Sequence, residues 1–247
     1  MADSNTEMLR RVAEALRPLD VPVVFVGGAT IALYLEPYAA SQMRVTLDVD
    51  CVAATSTLAQ HQELEAKLRK LGFRHCLDDD APICRWRYEE LIVDVMPLDA
   101  SVLGFGSRFS QLGFPLSEER EIAPGTQIHV LPPRYLFASK IEAYRTRGTR
   151  DPYESKDLED LVSLLDGAPA MIDAIESEND DLRLSDTLLH GLPTSYATLP
   201  RPISWRDTSL VDRSFRSESA GFRIDSAALR ENPPNTEPTD SHPDPAG

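Results

Sequence analysis

The segment Arg44-Val45-Thr46-Leu47-Asp48-Val49-Asp50-Cys51-Val52 alternates polar and apolar residues as far as Cys51, which is the period of a half-buried β-strand. Val45, Leu47, Val49 and Cys51 fall on one face, and Thr46, Asp48 and Asp50 on the other. Two carboxylates therefore point the same way, two residues apart. An isolated pair of this kind is usually solvated surface. A third acid changes the reading: in Leu91-Ile-Val-Asp94-Val-Met-Pro-Leu98, Asp94 stands among apolar residues and shares its face with Ile92 and Met96. A buried carboxylate without a partner costs several kcal/mol, so Asp94 requires a cation. Either Arg85 or Arg87 from a neighbouring strand neutralises it, or a metal ion does. Three converging carboxylates repel one another, and hard divalent cations with oxygen ligands reverse that repulsion. Mg²⁺ fits best, with Mn²⁺ as its substitute. Such ions keep coordination positions for water and phosphate oxygens, which points to a nucleotide or polyphosphate ligand.

Upstream, the chain reads as a helix that Asn5 or Thr6 caps and Pro18 ends, a strand Val21–Val26, the pair Gly27-Gly28, and an apolar stretch Ala29–Leu35 suited to a buried helix. A strand running into two glycines and a helix start exposes backbone N–H groups to an anion. The same glycines also serve an ordinary tight turn, and neither G-x-G-x-x-G nor G-x-x-x-x-G-K-[ST] is present. Downstream, Ser56 or Thr57 caps a helix to Leu71 that Gly72 stops. Strand-like stretches Phe73–Leu77, Ile83–Tyr88 and Leu91–Leu98 follow, the last two spaced as an antiparallel hairpin. The sheet is thus expected to be mixed, with residues 99–126 a loop carrying one edge strand, and Ile128–Leu131 a short strand.

Pro132-Pro133 opens a helix to Arg147, and a second helix spans Ser155–Leu165 before Gly167. Phe137, Ile141 and Tyr144 form one stripe of the first, and Lys140 falls inside it, where it must snorkel or meet an anion. Residues 134–150 contain Arg134, Lys140, Arg145, Arg147 and Arg150 against Glu142 alone. That is a local basic patch in a chain of 25 Lys+Arg, 40 Asp+Glu and net charge −15. In the second helix Asp157 and Asp160 flank the stripe Leu158, Leu161, Val162 and Leu165, where acids near a helix start also serve as dipole partners. A third helical piece is expected over 169–178.

The 247 residues suit one large domain with appendages. Hydrophobic residues at 42% and charged residues at 26% exclude collagen-like, fully disordered and coiled-coil classes. No apolar run suggests a membrane span or signal peptide, and three cysteines without a C-x-x-C pair read as free thiols, so a soluble cytoplasmic protein is expected. The acidic balance disfavours loose wrapping of nucleic acid. Eight of the 19 prolines lie after residue 190, and Glu231–Gly247 is almost wholly Pro, polar and acidic, the composition of a disordered tail. Trp205, Phe215 and Phe222 sit in the segment before it.

Strand, Gly-Gly, helix, Asp-x-Asp on one strand and a single Asp on a later one resembles the nucleotidyltransferase superfamily of the DNA polymerase β type. The longer pieces V-F-V-G-G-A-T-I-A-L-Y-L, R-V-T-L-D-V-D, A-S-K-I-E-A-Y-R-T-R-G and S-K-D-L-E-D-L-V-S-L-L-D-G, spread over roughly residues 20–170, look like the AbiEii/AbiGii toxin-like branch. The resemblance implies an α/β (α+β) nucleotidyltransferase fold, its mixed sheet flanked by helices. It would divide into a catalytic core 1–130, a helical portion 131–190 completing the active site, an irregular arm 191–230 and the tail 231–247. It implies transfer of a nucleoside monophosphate from an NTP to an acceptor hydroxyl, with RNA (a tRNA end), a protein or a small molecule as acceptor, and a cognate antitoxin as partner. Asp48, Asp50 and Asp94 would be catalytic metal ligands. Gly27, Gly28, Arg44 and Lys140 would bind nucleotide, and Asp157, with Asp160 as alternate, would orient Lys140 or an arginine. Gly28 departs from the serine many superfamily members carry, and 19 residues separate it from Asp48, more than in the compact motif. An aminoglycoside-type nucleotidyltransferase and a non-catalytic nucleotide-binding module of the same fold are the alternatives.

Overall fold

The computed structural model of the chain describes residues 4–147 and 154–169. All but the first residue of the helix expected over 169–178, together with Arg150, the aromatic residues of 191–230 and the tail from 231, therefore lie outside the described residues.

Seven strands form one mixed sheet in the order β3-β4-β5-β2-β1-β7-β6. They are β1 (Val23–Val26), β2 (Asp48–Ala53), β3 (Arg74–His75), β4 (Arg85–Tyr88), β5 (Leu91–Pro97), β6 (Glu118–Ala123) and β7 (Thr126–Val130). The helices are α1 (Ser4–Leu16), α2 (Pro37–Ala40), α3 (Leu58–Lys70), α4 (Arg108–Gly113), α5 (Pro133–Arg147) and α6 (Lys156–Gly167). The centre of the sheet is parallel for β2/β5 and β1/β7 and antiparallel for β1/β2, while the β4/β5 hairpin is antiparallel as its short spacer dictates.

Each sheet face has its own core. On one, Val49, Cys51, Val93 and Val95 meet Leu9 and Val12 of α1 and Leu64 and Leu68 of α3, with Trp86 and Phe73 fully enclosed. On the other, Val24, Val26 and Val52 pack against Leu136, Phe137 and Ile141 of α5 and Leu161 and Leu164 of α6. Ser155 caps α6 by accepting from the Leu158 N–H, and Thr57 caps α3 in the same way through Gln60.

Several elements differ from their sequence reading, each for a local reason. Residues 28–34 form a 3-10 helix rather than an α-helix, its first turn tied by the Thr30 hydroxyl donating to the Gly27 carbonyl at 2.9 Å. β2 starts only at Asp48, because that is where β5 begins to supply partners, through Ile92, and β1 pairs no earlier than Asp50. Val45 and Leu47 precede the ladder and stay exposed, at 56% and 71%. Asn5 is not a cap: inside α1, its amide donates to the Arg44 carbonyl and its oxygen accepts from the Thr46 N–H, both at 3.0 Å. Residues 99–126 hold the edge strand β6 and also α4, whose six residues are too few to show a helical period.

Leu161 is wholly buried between α6, α5 and the sheet. Leu161→Ala is expected to lower the urea-unfolding free energy by about 2–5 kcal/mol, from lost burial and a cavity that helices fixed by caps cannot close. A loss below about 1 kcal/mol would show that α6 does not share that core.

Candidate active site

The strand register sets four positions in one row across the sheet: Val26 beside Asp50, Asp50 beside Asp94, and Asp94 beside Arg85. Asp48 lies one period up β2 on the same face. Their side chains open into a cleft of about 700 Å³ between this end of the sheet, α5 and the start of α6. One carboxylate oxygen from each of Asp48, Asp50 and Asp94 lies within 4.8 Å of the others, the one grouping of its kind among the described residues. Oxygens that close, on hard anionic donors, match what a divalent cation with oxygen ligands takes up.

Electrostatics bear the mark of this crowding. Burial first, then the Asp48 charge and further the Asp94 charge, push the Asp50 carboxyl up to about 7, against an opposing pull from Lys140. Asp94, 7% exposed, is met by Arg85 and not by Arg87. Arg85 Nε donates to Asp94 Oδ1 at 2.8 Å and Nη2 to Oδ2 at 2.7 Å, and Nη2 also reaches Asp48 Oδ2 at 3.4 Å. Arg87, two residues further along the same face of β4, sits opposite Ile92 and bonds Asp78 in solvent instead.

The Gly27-Gly28 turn closes the other side. Gly27 has φ +75°, a conformation side chains disfavour, and a Cβ there would strike the Asp50 carboxylate, 2.7 Å from its Cγ. The second acid of the pair thus rests directly on the turn. At Gly28 a Cβ would sit 3.4 Å from Arg44 Nη2 and 3.5 Å from Asp160 Oδ2, so the space a serine side chain would need is bounded by a guanidinium and its partner acid.

Arg44 and Lys140 converge on α6. Lys140 Nζ is 3.2 Å from Asp157 Oδ1 and 2.6 Å from Asp160 Oδ2, so both acids hold it. Asp160 is fully enclosed and also takes Arg44 Nη2 at 3.0 Å, while Arg44 Nε faces Glu159 Oε2 at 3.0 Å. Burial alone would lower the Lys140 pKa, but Asp160 and Asp157 together outweigh it and hold the ammonium charged above its ordinary value. The basic stretch of α5 does not form one patch. Lys140 and Arg147 line the cleft, whereas Arg134 stacks on Tyr135 with 5.0 Å from guanidinium carbon to ring centre. Other cleft cations come from elsewhere: Arg44, Arg85 and Lys156.

Sequence reading did not identify Glu159 as a partner of Arg44, nor Ser107, whose hydroxyl donates to Glu142 Oε2 at 2.5 Å on the cleft wall. Only the Ser107 cap of α4 leaves a sequence trace, and that helix is too short to announce it. No helix of the described residues is long and apolar enough to cross a membrane. Cys51, Cys76 and Cys84 are all free thiols.

A mixed sheet that presents an Asp-x-Asp pair and a third Asp beside a strand-end Gly-Gly turn is the architecture of a nucleotidyltransferase. The family described as "Nucleotidyl transferase AbiEii toxin, Type IV TA system" matches residues 9–222, and the chain belongs to it. Among solved structures, an antigenic nucleotidyltransferase-like protein from Paracoccidioides brasiliensis is 18% identical, with 78% of this chain and 95% of that chain covered at a TM-score of 0.44. The antibiotic-resistance factor ANT(2'')-Ia in solution is 14% identical over 77% of this chain and 100% of its own, TM-score 0.44. Its crystal structure with adenylyl-2''-tobramycin is 15% identical over 71% and 99%, TM-score 0.44. No curated protein matches the chain.

The Asp50 shift has a defined sign. In the unfolded chain an aspartate ionises near 4; in the fold it holds its proton up to about 7. The folded state therefore binds more protons across that window, and the metal-free protein loses stability as pH rises from about 4 to about 7. Asp50→Asn keeps the neutral shape. In EDTA it is expected to flatten the fall in melting temperature between pH 5 and 7.5 and to melt higher than wild type at pH 7.5; an unchanged pH profile would contradict the shift.

Proposed function

We propose that this chain transfers a nucleoside monophosphate from an NTP to an acceptor hydroxyl, releasing pyrophosphate, and acts as a toxin restrained by a cognate antitoxin. The observation that carries the reading is the set of three carboxylates within 4.8 Å, with Asp50 seated on the Gly27 turn. Asp48, Asp50 and Asp94 are suited to hold Mg²⁺ or Mn²⁺, which when bound would supply neutralising charge to the attacking and leaving oxygens.

The rest falls to the chain's own groups. Gly27 and Gly28, at the end of β1, line the cleft, and their backbone amides would suit phosphate oxygens. An ammonium has three donors, and Asp157 and Asp160 occupy two of those on Lys140. The third is left for the β or γ phosphate, and the two acids fix where it points. Arg44, held by Asp160 and Glu159, borders the same turn and adds a second fixed positive charge. Asp94, one strand beyond Asp50 from the turn, would help take the proton of the incoming hydroxyl. RNA, a tRNA end above all, is the acceptor of this reading.

The test is incubation with each α-labelled NTP and Mg²⁺ or Mn²⁺ in the presence of total RNA, protein extract or an aminoglycoside. Label is expected on RNA, lost in Asp50→Asn and reduced at least about 100-fold in Lys140→Ala, the scale of removing a positioned charge from phosphoryl transfer. Label on the aminoglycoside alone would assign a small-molecule acceptor, and label on none, with folded protein, would contradict the proposed transfer.

A further inference from the structure

The acid cluster already contains a cation of its own. Arg85 engages both oxygens of Asp94 in a two-point fork and extends the same Nη2 to Asp48. The remaining Asp48 oxygen accepts from the Thr46 hydroxyl at 3.0 Å. Of the three acids, only Asp50 accepts no hydrogen bond from a described residue. The flanking residues Cys84 and Trp86 are buried, at 3% and 1% exposure, so the Arg85 backbone is fixed and only its side chain is free to move. That side chain is 27% exposed and lies along the cleft wall.

A guanidinium and a divalent cation compete for the same oxygens. The Asp94 fork is short and bidentate, the strong form of arginine–carboxylate pairing, whereas the 3.4 Å reach to Asp48 is long. The long bond is the one that yields. Resting on the metal-site reading above, we propose that Arg85 is the resident counter-ion of the acid cluster: a positioning residue that holds Asp48 and Asp94 together in the free protein and that a divalent cation must displace from Asp48 in order to bind. Its presence sets the cation affinity low when no nucleotide is bound, and the two carboxylates first offered to the cation are Asp48 and Asp50. A bound triphosphate brings negative charge that offsets the competition, which couples cation uptake to substrate.

The experiment is a Mn²⁺ titration of full-length protein without nucleotide, read by melting temperature and by calorimetry, for wild type, Arg85→Gln, Arg85→Lys and Asp50→Asn. Arg85→Gln is expected to melt lower than wild type in EDTA, since the acids lose their cation. It is also expected to reach half-saturation at a Mn²⁺ concentration at least about tenfold lower, a factor equal to about 1.4 kcal/mol. Arg85→Lys keeps the charge but cannot fork both oxygens, so it should fall between the two and serves as the readout if Arg85→Gln fails to fold. Half-saturation unchanged or weakened in the Arg85 variants would overturn the proposal. Loss of the wild-type response in Asp50→Asn establishes that the metal site itself is read correctly, so the Arg85 variants then judge the counter-ion role alone. Absence of any response in wild type and both Arg85 variants would overturn the proposal together with the metal site.

Discussion

Three carboxylates forced onto one face of a sheet within 4.8 Å of one another is the constraint to which the rest of this end of the molecule answers. The crowding is built into the strand register, because pairing Asp50 with Asp94 in a parallel ladder leaves the two side chains on the same face a single strand spacing apart. The surrounding groups answer the repulsion from two directions. Arg85 forks Asp94 and reaches Asp48, while Asp50, next to a glycine that leaves no room for a side chain, is left half-neutralised by proton binding near pH 7. In the proposed function a cation of charge +2 takes over from both.

The cleft as a whole is balanced. Its lining carries Arg44, Arg85, Lys140, Arg147 and Lys156 against Asp48, Asp50, Asp94, Glu142 and Asp157, in a chain whose net charge is −15. The cations are grouped by function of place. Arg85 belongs to the acids, whereas Arg44 and Lys140 are locked to α6 by Asp160 and Asp157 beside the Gly-Gly turn. Fixing these long side chains before a ligand arrives removes much of their ordering entropy from binding. Helix α6 thereby does more than complete a core: it carries the acids that fix both positive groups where the proposed reaction needs them for phosphate.

Much of this was legible in the sequence. Strict alternation exposed Asp48 and Asp50 on one face, an acid among apolar residues marked Asp94, and a lysine inside a helical stripe marked Lys140. What was not legible depends on register or on distant contacts. Whether Arg85 or Arg87 meets Asp94 is decided by which of them pairs with it across the hairpin, and Asp94 pairs with Arg85. Asp157 and Asp160, three residues apart, lie on the same side of a helix, so spacing could not choose between them, and both bind Lys140. The partners of Arg44 are more than a hundred residues away. The strand start at Asp48 was misplaced because alternation continues upstream to Val45 where no neighbouring strand remains to pair with it.

The most direct measurement is the anomalous scattering of crystals grown with Mn²⁺ and a non-hydrolysable nucleoside triphosphate analogue. The account predicts an anomalous peak bounded by the carboxylates of Asp48, Asp50 and Asp94, with the triphosphate against the Gly27-Gly28 amides and Lys140. Manganese elsewhere, or a triphosphate seated away from that turn with Asp48 and Asp94 still closed on Arg85, would contradict it.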